Sequence, residues 1–143
     1  MLIIKPIQDK KDQEEYCALC GCEYDVDCLA YGAFVDEKFV GICQFIYRTD
    51  GAHIVSLRQA RGEDDLDALF IMGRQAMNFI DLSGTHKAWY DDVTDGMTAD
   101  FIYRLGFDKR DDGNGGTAYF VDLTGFFENP CAHGKAGSAT SDE

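Results

Sequence analysis

The sequence predicts a single α+β (mixed α/β) domain, in which helices flank a central and mostly antiparallel sheet. Three observations lead to this class. The chain has 143 residues, which is an ordinary length for one domain. Aromatic residues make up 13% of the chain, which indicates a packed core rather than disorder. Short apolar runs with turn residues between them are interrupted by amphipathic segments, as in sheets whose strands are linked partly through helices.

The first elements are a short strand over residues 2–7 and a helix over 9–20. Asp9 is a suitable N-cap for this helix, and Gly21 stands where a left-handed residue ends a helix. Residues 22–28 are polar and acidic, so we expect a loop or a short second helix there.

An antiparallel meander of three strands follows, because three apolar runs are separated by short polar turns. The second turn contains Asp50-Gly51, a pair that favours hairpins. The strands are expected over 29–35, 39–47 and 52–58.

The strongest helix signal covers residues 63–82, where apolar residues recur at steps of three and four and form one stripe. Glu63, Asp64 and Asp65, here called the acidic run, lie in its first turn, where they meet the positive end of the helix dipole. The later elements are expected as a strand over 87–92, a helix over 98–105, a strand over 107–110, a loop over 111–116 and a strand over 117–123.

The C-terminal part has two features. Gly125-Phe126-Phe127 places two large apolar residues after the last strand, and these either close the core or form part of a homodimer surface. The domain is expected to cover residues 1–131. Residues 132–143 are small and polar, so we expect a disordered tail.

Composition excludes several classes of partner. The chain has 13 basic and 26 acidic residues, a net charge of −13, and such a surface repels the phosphates of nucleic acids. No apolar run approaches the ~20 residues that span a bilayer, so no membrane partner is expected. The N-terminal residues lack the apolar stretch of a secretory signal, and we therefore expect a cytoplasmic protein.

Four of the six cysteines cluster between residues 17 and 28. Cys17 and Cys20 have the spacing of half a zinc site, but no second pair of ligands follows at a suitable distance, so no metal ligand is assigned. Because Cys17 and Cys20 share one face of a helix, a role in the core is the favoured interpretation. A metal or redox role for the 17–28 cysteines is the alternative.

The order of elements resembles that of the GNAT superfamily, the acyl-CoA-dependent N-acyltransferases. Residues 39–42 (Phe-Val-Gly-Ile) look like the third strand of that fold. Residues 101–107 (Phe-Ile-Tyr-Arg-Leu-Gly-Phe) look like its late helix-to-strand junction. The resemblance covers residues 1–127 and implies acetyl-CoA as the cofactor and a small amine or a basic peptide as the acceptor.

The resemblance also indicates where the cofactor would bind. The family holds the pyrophosphate with an Arg or Gln, two residues, Gly, one residue, then Gly or Ala, before a helix start. Gln59 and Gly62 match this pattern, and the backbone of Val55 and Leu57 on the preceding strand is expected to contribute. Asp64 stands where a small residue belongs, so the pattern is degenerate and places an anion against an anion.

Acyl transfer also needs groups that move protons. The tyrosine that many family members place four residues before the junction glycine corresponds here to Ile102. Tyr103 is the candidate that remains, but one helical step turns it by ~100°, and packing is its alternative role. Asp91 and Asp92 follow a strand and are candidates for holding an amine or removing its proton, or else form a solvated strand end. The histidines lie outside any motif, at His53, His86 and His133.

Two functions remain open at this level. The first is an N-acyltransferase that moves an acyl group from acyl-CoA to a small amine or a basic peptide. The second is an inactive GNAT-fold module that has lost the CoA site and binds a small ligand or a protein partner. Either ligand is expected between the strand over 52–58 and the strand that holds Trp89, because the family splays these two strands apart.

Overall fold

The computed structural model describes residues 1–93 and 99–128, and these form a seven-stranded sheet with three helices. The predicted α+β class and the predicted order of elements are confirmed. Strands β1 to β7 cover Leu2–Pro6, Leu29–Val35, Lys38–Arg48, Gly51–Gln59, Lys87–Tyr90, Asp108–Asp111 and Thr117–Asp122. Helices α1 to α3 cover Lys10–Cys20, Leu66–Leu82 and Ala99–Leu105.

The sheet has the strand order β1-β2-β3-β4-β5-β7-β6, and every neighbouring pair is antiparallel except β4 and β5. The parallel pairing of β4 with β5 is short and joins residues 52–54 to residues 88–90. Strand β4 runs on to Gln59, so its last part has β3 on one side and an opening on the other. This is the splay that the resemblance predicts between these two strands.

Helix α1 begins and ends where the sequence predicts. The side chain of Asp9 accepts hydrogen bonds from the backbone N–H groups of Lys11 and Asp12. Gly21 ends the helix with φ +70°, a left-handed conformation that glycine adopts without strain. Residues 22–28 form a loop rather than a second helix.

Two elements are shorter than predicted by two residues or more. Helix α2 starts at Leu66 and not at Glu63, because the carboxylate of Asp65 accepts from the N–H of Ala68 and caps the helix there. The acidic run therefore precedes the helix instead of filling its first turn. Strand β5 ends at Tyr90 and not at Asp92; the N–H of Asp91 still donates to the carbonyl of Ile54 at 2.9 Å, and the side-chain contacts of Asp91 and Asp92 are described below.

The helices cover the sheet on both faces. Helices α2 and α3 bury the larger core, and α1 covers a smaller cluster on the other face. The predicted core role is confirmed for three of the 17–28 cysteines, Cys17, Cys20 and Cys28, which are buried; Cys43 of β3 is buried as well. Phe126 is buried in the larger core, which supports the first of the two roles expected for residues 125–127.

Three expectations fall on residues outside the described ranges. These are the start of the third helix at Thr98, the tail over 132–143 together with the domain limit at 131, and His133. Within the described ranges, no helix has both the length and the apolar character that crossing a membrane requires.

Candidate functional site

A bulge in β4 shapes the opening between β4 and β5. Gln44 pairs with Ser56 and Phe45 pairs with Ile54, so Val55 is an extra residue without a partner on β3. A bulge bends its strand and increases the local twist. The parallel pairing with β5 ends at Ile54, next to this bulge, and the two strands separate beyond it.

The carboxylate of Asp92 fills the opening. Its side chain is 5% exposed, and its Oδ2 accepts from the N–H of Leu57 at 2.8 Å. The same carboxylate binds the Arg58 guanidinium through Nε at 3.1 Å and Nη2 at 3.0 Å. Asp92 is therefore no solvated strand end, and the backbone donor of Leu57 that the resemblance assigns to the cofactor already has a partner. The hydrogen bonds from Arg58 to Asp92 raise the pKa of Arg58.

Asp91 points to a different partner. One oxygen lies 2.8 Å from Nδ1 of His53, and Nε2 of the same ring lies 2.7 Å from the carboxylate of Asp50. Both ring nitrogens of His53 therefore face carboxylate oxygens at hydrogen-bonding distance, and neither is turned toward an open site. The structure thus joins Asp91 to His53, a contact that no motif predicted, and it engages the carboxylate of Asp91 within the protein.

Tyr90 carries an unpaired hydroxyl beside the opening. The residue is buried, and its hydroxyl oxygen has no hydrogen-bond partner among the described residues. Burial, and then the charge of Asp92, raises the pKa of Tyr90, so the hydroxyl keeps its proton at neutral pH. Sequence reasoning missed this residue because it lies within a strand and belongs to no motif.

Tyr103 lies on the outer side of α3. Ile102 is buried in the larger core, whereas Tyr103 is 45% exposed. The two residues are therefore turned apart as the helical rotation predicts, and no shift of helix register brings Tyr103 inward.

Three backbone donors at and just before the start of α2 are used within the protein. The N–H of Glu63 donates to the carbonyl of Ala60 at 3.0 Å. The N–H of Asp65 donates to the side-chain oxygen of Gln59, which is the side chain that the resemblance assigns to the cofactor. The carboxylate of Asp65, which caps α2, accepts a hydrogen bond from the N–H of Ala68. A phosphate would have to displace these contacts, because it binds through such N–H groups.

The cations near this helix start also have partners. Lys38 forms an ion pair with Glu63 at 2.7 Å, and the Arg61 guanidinium donates to the carbonyl of Ala18 at 3.0 Å. Gly62 has φ +88° and open space around it, so it matches the pattern in conformation. The residues present do not fit the pyrophosphate of an acyl-CoA, since the carboxylates of the acidic run lie in the segment that would hold it, and the N–H groups of Glu63, Asp65 and Ala68 already have partners.

A cleft lies next to the opening, on the side of the 22–28 loop. We call it the loop cleft; it has a volume of about 710 Å³ and is lined by Cys22, Glu23, Tyr24, Asp25, Val26, Val55, Ser56 and Arg58. This volume is typical of sites for small molecules. Two carboxylates lie among apolar side chains in its wall, and its one cationic side chain is neutralised by Asp92.

Gln44 holds the loop over this cleft. Its amide nitrogen donates to the carbonyl of Glu23 at 2.9 Å and to the Ser56 hydroxyl at 3.1 Å. Its side-chain oxygen accepts from Gln13 at 2.8 Å and from the N–H of Asp25 at 3.3 Å. The loop is therefore tied to the sheet through a buried amide, and the cleft has a defined wall.

Residues 1–93 and 99–128 contain no group of three or more His, Cys, Asp or Glu side chains that could hold a metal ion. The zinc alternative for the 17–28 cysteines thus gains no support from the described residues.

Comparison with known proteins gives structural neighbours only. No family model matches the sequence, and no curated protein matches it. The fold is similar to that of the PaiA N-acetyltransferase from Thermoplasma acidophilum in complex with coenzyme A, with a TM-score of 0.67 at 14% identity, over 85% of this chain and 99% of the other. It is also similar to a GNAT-family acetyltransferase from Staphylococcus aureus Mu50 (TM-score 0.64, 11% identity, 86% and 99% covered).

A third similar structure is the ribosomal-protein-S18-alanine N-acetyltransferase from Escherichia coli, with a TM-score of 0.64 at 10% identity, over 86% of this chain and 94% of the other. The chain therefore has the GNAT fold that its element order resembles, over nearly the full length of these neighbours. Fold alone does not carry an activity.

Proposed function

We propose that this protein is a GNAT-fold module that does not use acyl-CoA and that binds a small organic amine in the loop cleft. The observation that carries the proposal is Asp92, whose buried carboxylate fills the β4–β5 opening and takes the N–H of Leu57. A ligand that adds to a strand edge needs such backbone donors free. The occupied donors at the start of α2 support the same conclusion.

The chemistry of the loop cleft indicates the ligand class. Glu23 and Asp25 supply negative charge, and Tyr24, Val26 and Val55 supply apolar surface. Glu23 has no ion-pair partner within residues 1–93 and 99–128, so a ligand cation would not displace an existing one. An amine with a short apolar body can contact both the carboxylates and the apolar side chains of the cleft. The net charge of −13 favours the approach of such a cation.

The test compares two molecules of similar shape and opposite charge. Phenethylamine and phenylacetate are titrated into the protein by calorimetry at low salt. We expect measurable binding of phenethylamine and none of phenylacetate, and we expect Glu23→Gln to weaken amine binding severalfold. Glu15→Gln is the matched control, because Glu15 is an exposed residue of α1 outside the cleft. Equal binding of both molecules, or no binding of the amine, would overturn the proposal.

The second candidate is an acyl-CoA-dependent N-acyltransferase that acts on a small amine or a basic peptide. Two observations favour it: the fold neighbours are acetyltransferases, one of them named as a complex with coenzyme A, and Tyr90 holds a proton on an unpaired buried hydroxyl beside the opening. Micromolar binding of acetyl-CoA, with turnover of an amine that Tyr90→Phe abolishes, would establish this function in place of the first.

A further inference from the structure

Two thiols meet where α1 ends. The helix closes in a Schellman motif, in which the N–H of Cys22 donates to the carbonyl of Cys17 at 3.1 Å and the N–H of Gly21 donates to Ala18 at 3.3 Å. This motif commonly brings its two outer side chains together. Here the Cys17 thiol donates a hydrogen bond to the Cys22 sulfur. The way in which the helix ends therefore pairs these two cysteines.

The two sulfur atoms differ in access. Cys17 is 1% exposed and belongs to the smaller core cluster. Cys22 is half-buried and lines the loop cleft, where the Ser56 hydroxyl donates to its sulfur and Arg58 lies nearby. Of the cysteines in the described residues, Cys22 is the one that lines this cleft; the others are buried. A reagent in the cleft thus meets Cys22 first.

The surroundings of Cys22 favour its thiolate. The hydrogen bond from Cys17 lowers the pKa of Cys22, and Ser56 and Arg58 of β4 lower it further, against the opposing effects of burial and of Asp92. The same contact, together with burial, raises the pKa of Cys17, which keeps its proton. Reactive cysteines occur in such partly exposed sites beside a cation.

We propose that Cys22 is a site of thiol–disulfide exchange with low-molecular-weight disulfides, and that Cys17 is the buried thiol that then closes a disulfide with it. This proposal goes beyond the amine-binding function and does not depend on it. It makes the loop cleft a place where a small disulfide compound can attach covalently to the protein.

The exchange has two balanced steps. The Cys22 thiolate attacks one sulfur of the small disulfide, a bond forms between them, and the other half leaves as a thiolate. Cys17 then passes its proton to the thiolate that has just left and attacks the Cys22 sulfur, which forms the Cys17–Cys22 disulfide and releases the second half as a thiolate. The two protein thiols are oxidised by two electrons, and the small disulfide is reduced to two thiols.

The test uses the full chain with Cys131→Ser, because that cysteine lies outside the described residues. The probe is oxidised glutathione, and products are followed by intact mass and peptide mapping. We expect a mixed disulfide at Cys22, followed by loss of the glutathione and a mass two hydrogens below that of the starting protein. Cys22→Ser abolishes both products, whereas Cys20→Ser, a control in the helix that holds Cys17, changes neither. Reaction at another cysteine, or no mixed disulfide at Cys22, would overturn the proposal.

The pH profile of iodoacetamide alkylation at Cys22 tests the role of Cys17 separately. The midpoint is expected below about 8.5, the value of an ordinary cysteine thiol. Cys17→Ala removes the hydrogen bond and raises the midpoint, whereas Cys17→Ser keeps a donor and leaves it low; both variants stop at the mixed disulfide. A parent midpoint at or above about 8.5 contradicts the proposal even if the variants fail to fold.

Discussion

At the scale of single residues, the site depends on buried polar groups that find partners across the sheet. Asp92 and Gln44 are both buried, and each joins elements that are distant in sequence. The sequence singled out Asp92 because it follows a strand, and it gave no reason to single out Gln44. A glutamine within an apolar run that forms a strand follows no periodic pattern that would indicate its partners. The contacts of Gln44 with Gln13 of α1 and Ser56 of β4 depend on the tertiary structure.

Gln44→Leu is expected to destabilise the protein by about 2 kcal/mol, because it leaves the amide of Gln13 and the carbonyl of Glu23 without their buried partner. Urea unfolding measures this difference. Gln75→Leu is the control, since Gln75 is exposed on α2 and its change is expected to stay within about 0.5 kcal/mol. Equal midpoints for the two variants would show that the Gln44 network does not hold the loop.

At the scale of elements, the sequence predicted the order and most bounds because helices and strands carry periodic apolar patterns and clear end signals. Asp9 and Gly21 defined α1 through capping chemistry alone. The errors lie where side-chain contacts decide a boundary: Asp65 takes the N-cap position that the acidic run left ambiguous, and Asp92 leaves β5 to reach Leu57. Local sequence patterns do not indicate such contacts. The sequence therefore could not predict that Asp92 occupies the opening between β4 and β5.

The join between β4 and β5 offers a test at this scale. Gly51 starts β4 with φ +129°, and a Cβ there would lie 2.6 Å from the carbonyl oxygen of Lys87. Gly84 also has positive φ, at +97°, but open space surrounds it. Gly84→Ala therefore measures backbone strain alone, and Gly51→Ala is expected to cost about 2 kcal/mol more through the clash with β5. Thermal unfolding measures the stability of the two variants. Equal losses of stability would mean that β5 moves away from the added methyl group without a measurable free-energy cost.

At the scale of the whole molecule, the fold is that of acetyltransferases, whereas the residues at the expected cofactor site do not match a site for acyl-CoA. The GNAT fold followed from element order, and structures with 10–14% identity share it with TM-scores of 0.64 to 0.67. The cofactor residues do not follow from the fold, because Gln59 accepts from the N–H of Asp65, the acidic run lies in the segment that would hold the phosphates and Asp92 fills the opening. A fold can persist while the chemistry grafted on it changes.

The most direct test of the central claim is calorimetric titration of acetyl-CoA into the unmodified protein, at low and at moderate salt. We expect no binding at cofactor concentrations up to about 1 mM, which corresponds to less than about 4 kcal/mol of binding free energy. Binding with a micromolar Kd at both salt concentrations would contradict it, because the cofactor would then have to displace Asp92 and Gln59 from the backbone donors that they hold.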